Sequence, residues 1–182
     1  VEINDNLNET VDLIYNVNRG EKATISQIKF IGDKKFKNRK LRSVITSEES
    51  KFWKFVSKGK YLNIERINLD KRLLKNFYLN KGYYNVQITD AYSSILDKEN
   101  FVLTFNINAG KRFYFNNLDL NLPTDFDTDK FKDLEKVFTK LKGKKYNFSQ
   151  VELILDEIDK ISLLQNYEFI DANVLENTLL RK

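Results

Sequence analysis

The chain contains no cysteine and no histidine, and a single proline among its 182 residues. Without thiol or imidazole it cannot build Ser-His-Asp or Cys-His nucleophilic sites, thiolate or imidazole zinc sites, disulfide frameworks, c-type haem attachment or Fe–S ligation. The lack of cysteine is compatible with export and with a reducing compartment alike. No apolar run approaches the roughly 18 to 20 residues that span a bilayer. Val1-Glu2-Ile3-Asn4 opens without a basic region followed by an apolar one, so the stretch is expected to begin past any targeting signal. A strong charge of one sign is missing too. Lys and Arg number 31 against 26 Asp and Glu, and they are interleaved, so the net +5 points only weakly to an acidic partner.

What is present is apolar and aromatic. With 41% hydrophobic residues, 14 Phe and 9 Tyr, the chain can offset its conformational entropy and fold. Its length suits one ordinary domain or two small ones.

The sequence also repeats itself. Val11-Asp-Leu-Ile-Tyr-Asn-Val-Asn-Arg-Gly20 aligns with Phe101-Val-Leu-Thr-Phe-Asn-Ile-Asn-Ala-Gly110. Each copy reads as a strand, with Leu13, Tyr15 and Val17, or Leu103, Phe105 and Ile107, on one face and the Asn residues on the other. Gly59-Lys-Tyr61-Leu-Asn63 pairs with Gly143-Lys-Lys-Tyr146-Asn147, and Gly82-Tyr83-Tyr84 pairs with Asn166-Tyr167-Glu168. Asn in place of Gly82 fits a left-handed residue after a helix.

One unit therefore reads as a strand over Thr24 to Ile31, a helix over Asn38 to Ile45, and a connection over Thr46 to Lys60. A second helix follows from Ile64 to Asn80, then strands near Tyr83 to Tyr92 and Asn100 to Asn108. The second helix buries Leu69, Leu73, Leu74, Phe77 and Tyr78. The order is β-α-α-β-β, an α+β class. From Lys111 the pattern begins again: a strand over Phe113 to Leu120, a helix with Phe131, Leu134, Val137, Phe138 and Leu141, a helix with Val151, Ile154, Leu155, Ile158 and Ile161, and a strand from Tyr167. The array is expected to be cut from a longer one.

The run Ile25-Ser-Gln-Ile-Lys-Phe-Ile-Gly32-Asp-Lys-Lys-Phe36, Leu41 and Ile45, Gly59 and Tyr61, the helix ending Leu73-Leu74-Lys-Asn-Phe-Tyr78-Leu-Asn-Lys-Gly82-Tyr83, and Phe105 to Gly110 together resemble a POTRA (polypeptide-transport-associated) domain. More closely, Lys40 to Phe55, with Trp53, resembles the third POTRA of BamA-like outer-membrane protein assembly factors of the alphaproteobacterial type. The likeness covers most of residues 11 to 120 and continues more weakly to Leu175. On this resemblance, residues 1–21 are the closing strand of a preceding POTRA, 22–110 a complete POTRA, and 111–182 the next POTRA without its last strand. Each complete module would be a three-stranded mixed sheet packed on two helices. Asn166, standing where the module has Gly, and Pro123, after Leu120 to Leu122, depart from the pattern.

The resemblance implies a non-catalytic periplasmic scaffold in front of a membrane barrel, with no cofactor and no metal. Its implied partners are nascent outer-membrane proteins and accessory outer-membrane lipoproteins. The sheet order 1-3-2 of the family would put Tyr83 to Tyr92 at an edge, able to accept a foreign strand whatever its sequence. The candidate contacts are Tyr83, Tyr84, Asn85, Val86, Gln87, Ile88 and Thr89, with Tyr84, Val86 and Ile88 inward and Tyr83, Asn85, Gln87 and Thr89 outward. A proline at Asn85 or Gln87 would block pairing. The orphan strand Val11 to Asn18 suggests a strand-exchanged oligomer.

Two further stretches have double readings. Phe52 and Trp53, beside Phe55, either dock a partner or plug a gap between the helices, and burial is the stronger reading. The basic run Lys34 to Arg42 either contacts anionic lipid heads or an acidic lipoprotein surface, or is a solvated helix entrance, which is favoured. Glu48-Glu49 and Asp156-Glu157 read as surface charge. The alternatives are a POTRA array from a two-partner secretion transporter or a chloroplast import channel, disfavoured by Phe52-Trp53, and an RNA-binding α+β module, whose affinity would fall steeply with salt.

Overall fold

Apolar residues at every second position along Asn100–Asn108, and along Thr24–Asp33 once a register shift between Ile25 and Gln27 is allowed for, make two strands with one face ready for burial. In the computed structural model, which describes residues 2–5, 11–16, 22–51, 57–122, 124 and 127–164, they form the heart of a three-stranded sheet. The strands are β3 (Thr24–Asp33), β4 (Gln87–Ile95) and β5 (Asn100–Asn108), in the order β3-β5-β4. β3 runs parallel to β5 and β4 runs antiparallel to it, so the sheet is mixed. Ahead of it, β1 (Glu2–Asp5) and β2 (Val11–Ile14) make an antiparallel hairpin. The expected lone closing strand is thus already paired along one side within the chain, and Leu13 and Tyr15 of its expected apolar face are exposed.

Two helices cover one face of the main sheet: the short α1 (Asn38–Arg42) and α2 (Ile64–Leu79). α1 ends three residues before the expected Ile45, and Val44 and Ile45 pack against the core from the turn that follows. α2 starts at Asn63, whose side-chain oxygen accepts the backbone N–H of Arg66 at 2.8 Å. It stops at Gly82, with φ +90°, where Gly82 and Tyr83 donate their N–H groups back to Leu79 and Tyr78.

The core is built from Ile25, Ile28 and Phe30 of β3, Leu103, Phe105 and Ile107 of β5, Leu41 of α1, and Leu74 and Tyr78 of α2. Phe30 stacks on Phe105 at 5.6 Å between ring centres. Gly32 closes β3 with φ +82°, and a Cβ there would lie 2.4 Å from the Ile107 carbonyl oxygen, so only glycine lets the strand end pass β5. The expected α2 stripe needs one correction. Leu69 is exposed and its neighbour Asp70 is fully buried, because the turn after α1 presents N–H groups that need an acceptor at that spot.

Beyond residue 111 the chain builds α3 (Lys132–Leu141) and α4 (Phe148–Leu164), preceded by a single 3-10 turn (Thr128–Phe131). They share a cluster of Phe131, Leu134 and Ile158 with Leu120, Phe138, Ile154 and Ile161 around it. The expected strand Phe113 to Leu120 is not a ladder strand. Among the described residues it meets backbone at two places: the stretch before α4, through the Tyr114 to Lys145 bridge and the Tyr146 N–H donated to Phe113, and Gly82, whose carbonyl accepts the Phe113 N–H. That bridge reproduces the one between Thr24 and Tyr61, with the Leu62 N–H donated to Ala23, so the sequence repeat is also a repeat of backbone pairing. The strand expected from Tyr167 lies outside the described residues.

Candidate strand-docking edge

A sheet of three strands has two rims, and the backbone groups on each rim need partners or water. On β3 several of the outward groups are taken by the chain itself. The Ser50 N–H reaches the Ile25 carbonyl at 2.7 Å. The Ile28 N–H donates to Glu49 Oε1 at 3.0 Å, and the Ile28 carbonyl accepts from Arg42 at 3.0 Å. Arg42 and Glu49 are themselves joined at 2.8 Å. One ion pair therefore holds both the N–H and the C=O of a single residue, as a neighbouring strand would. Lys34 Nζ adds a bond to the Phe30 carbonyl at 3.1 Å. Glu49, read from the sequence as surface charge, is a seal, and no sequence signal distinguishes it from Glu48.

The connection that carries Glu49 and Ser50 is anchored from below. Asp70 Oδ1 accepts the Thr46 N–H at 2.6 Å and its hydroxyl at 2.7 Å, while Oδ2 accepts the Ser47 N–H at 3.1 Å. Part of the basic run Lys34 to Arg42 thus serves the fold: Lys34 also bonds Asn38 at 2.7 Å, and Lys35 pairs with Asp33 at 2.7 Å.

On β4 the arrangement is different. The Leu96 N–H donates to the Asn100 carbonyl at 2.8 Å, which marks that pair as a hydrogen-bonded one. Alternation along an antiparallel ladder then makes Ile95/Phe101, Ser93/Leu103 and Ala91/Phe105 the pairs whose backbone groups turn away from each other. The N–H and C=O groups of Ala91, Ser93 and Ile95 therefore face outward. No other segment among the described residues bonds to them. The side chains along this strand are mostly exposed, and Asp90 is its one charge. The hairpin turn is fixed by Asp97, whose carboxylate accepts the N–H groups of Glu99 and Asn100 and the Asn100 amide. Those bonds hold the Asp97 carboxyl below the usual carboxylate range, the Glu99 N–H contributing most.

The expected contact residues divide. Gln87, Ile88 and Thr89 lie on β4, with Thr89 at a register shift between Ile88 and Asp90. Gln87 and Thr89 point to solvent, Ile88 is half-buried, and Val86 is buried. Tyr83, Tyr84 and Asn85 precede the strand, because the chain must first turn out of α2 through Gly82. Tyr83, expected outward, is buried with its ring against Phe36 and Tyr78, and its hydroxyl accepts from Arg112 at 2.9 Å. Tyr78 donates its own hydroxyl to the Lys34 carbonyl. Burial, reinforced by Tyr83 and Asp33, raises its phenol well above the ordinary range. Phe52 and Trp53 lie outside the described residues.

Tyr84 joins the two helical layers. Its ring meets Phe113 at 5.7 Å and Tyr146 at 5.1 Å, while the Phe113 N–H donates to Gly82 at 2.7 Å and the Ser149 N–H to the Asn80 side chain at 2.8 Å. A Cβ on Gly82 would come within 2.9 Å of Arg112 Cγ and 3.2 Å of the Phe113 carbonyl oxygen. Among the described residues no group of three metal-ligating side chains gathers, and no helix is long and apolar enough to cross a membrane.

Comparison with known proteins adds a family. Residues 23–110 match POTRA, described as "Surface antigen variable number repeat". The outer membrane protein assembly factor BamA of Neisseria meningitidis serogroup B is 26% identical over 165 residues, 90% of this chain and 20% of that protein. The BamA of Neorickettsia risticii is 31% identical over 108 residues, 58% of this chain and 14% of that protein. This chain therefore spans a small part of the relatives' length. The crystal structure of POTRA3-5 from Haemophilus influenzae BamA superposes with a TM-score of 0.55 at 19% identity, covering 80% of this chain and 56% of that one, a likeness of fold.

Proposed function

Residues 23–110 of this chain match the POTRA family, and from that premise we propose that the chain is a BamA-like, non-catalytic periplasmic scaffold of an outer-membrane protein assembly machinery. It holds unfolded outer-membrane chains by adding their strands to β4, and offers other surfaces to accessory lipoproteins. Residues 22–110 act as one complete module and 111–182 as the next, joined through Tyr84, Phe113 and Tyr146. The observation that supports this reading is the asymmetry of the rims: Ile28 is held on both backbone groups, while Ala91, Ser93 and Ile95 are not. Main-chain bonding explains how many different sequences are accepted at one place.

The register moves the proline test from Asn85 and Gln87 to Ser93. Ser93→Pro deletes one outward N–H and leaves the β5 ladder intact, since proline is tolerated on an edge. Crosslinking of an unfolded outer-membrane protein peptide to a photoreactive residue at Gln87 is expected to disappear in this variant, with the circular dichroism spectrum unchanged. Crosslinking that persists at the parental level would remove β4 as the docking strand.

A further inference from the structure

A groove of about 750 Å³ runs between α2 and the start of β4. Its floor is Val86 and Ile88, and its helical wall carries Lys71, Arg72 and Lys75 against one carboxylate, Glu65. Lys71 and Lys75 are one helical turn apart, where like charges repel. Among the described residues none of the three cations has an ion-pair partner. The helix thus keeps an unneutralised basic stripe along the flank next to the open rim, at some cost to itself.

The register says what that stripe would meet. Ile88, Ala91 and Ser93 of β4 lie opposite Ile107, Phe105 and Leu103, which are core residues on the helix side of the sheet. A strand laid along β4 continues the same pleat, so every second side chain of the newcomer projects on the helix side, toward the flank of α2. An apolar floor with cations at its wall suits a side chain that has a short aliphatic stem and a terminal carboxylate.

We propose that the α2–β4 groove makes strand addition selective, favouring extended peptides that carry Glu or Asp on the side facing α2. This rests on β4 being the docking strand. It adds a preference that main-chain pairing alone cannot give.

The test uses the full chain and a peptide of alternating β-branched and polar residues, blocked at both termini so that no end charge contributes. Three versions place Glu, Gln or Lys at the alternate positions of one face, and binding is followed by fluorescence anisotropy at low and high salt. The expected order is Glu tighter than Gln by about three- to tenfold, as a few partly exposed charge pairs would give, with Lys weakest. High salt should erase the gap without abolishing Gln binding. Lys71→Glu combined with Lys75→Glu, at the half-buried and the exposed position of the groove's helical wall, should invert the order while the circular dichroism stays native. Equal binding of the Glu and Gln peptides, or a Glu preference that survives the charge reversal, overturns the proposal and leaves β4 docking standing. Loss of all three peptides in Ser93→Pro supports the shared premise. Failure of every peptide to bind the parent chain defeats both.

Discussion

The two rims of one sheet differ although both strands flank the same central strand. β3 is closed by Arg42, Glu49, Ser50 and Lys34, ordinary side chains and one loop amide brought to the rim by α1 and the connection after it. β4 has no such visitor among the described residues, and its side chains mix polar groups with Ile88, Ala91, Tyr92 and Ile95 and carry one charge, Asp90. A rim can therefore be sealed by a handful of hydrogen bonds, with no extra strand. The open state of β4 is a property of its particular neighbours, since the same fold seals its opposite rim.

The contrast breaks most severely at its anchor. Asp70→Ala removes the acceptor of three hydrogen bonds, two of them from backbone N–H groups, and leaves the Ser47 amide buried without a partner. Each such loss costs about 1 to 3 kcal/mol, and the sum expected from urea denaturation is about 3 kcal/mol. Asp70→Asn should recover little, because its NH₂ group would face an N–H donor. A loss below about 1 kcal/mol would mean that the connection holds itself in place.

Glu49→Ala tests the seal more directly. It strips Ile28 of its N–H partner and frees Arg42 from its ion pair, for about 1 to 2 kcal/mol. The larger consequence is functional: β3 now has an unsatisfied rim of its own. Titration with a strand-forming peptide should rise from one site toward two, or the variant should self-associate in light scattering while the parent does not. An unchanged stoichiometry with a monomeric variant would show that closure of β3 does not depend on Glu49.

Much of this was legible in the residues. The strand Asn100–Asn108 and the helix from Ile64 coincide with their sequence expectations, since long alternation and a strong helical period leave few alternatives. The edge position of β4 came through the family's sheet order and not from its own residues. The strand starts later than expected because Tyr83 and Tyr84 continue the alternation of Val86 and Ile88, while the packing they serve, buried on Phe36 for Tyr83 and half-buried on Phe113 for Tyr84, comes from elements distant in the chain. Asp70 lay hidden inside an apparently simple amphipathic helix. The seal was illegible for the same reason: Arg42 and Glu49 meet Ile28 only after α1 has folded over the sheet, and a charged pair that grips a backbone looks in sequence like any other surface charge.

The smallest expected effects separate the two sides of the module by pH. Tyr78 lies on the α1 side and bonds the Lys34 carbonyl, with its phenol raised by burial. The unfolded chain releases such a proton near pH 10 while the folded one keeps it, so this contribution is whole below that pH and is lost as pH rises above it. Asp97, in the exposed turn of the β4–β5 hairpin, has the opposite sign. Its lowered carboxyl contributes above the ordinary carboxylate range and lets go as pH falls through its own value. An acid titration followed by amide exchange should therefore loosen Asn100 and its neighbours at the hairpin tip first, whereas alkali should reach the Tyr78 side, with phenolate absorbance from Tyr78 appearing only as the module unfolds. If Asn100 exchange followed an ordinary carboxylate titration, the Asp97 turn would not be what holds the tip of the open rim in register.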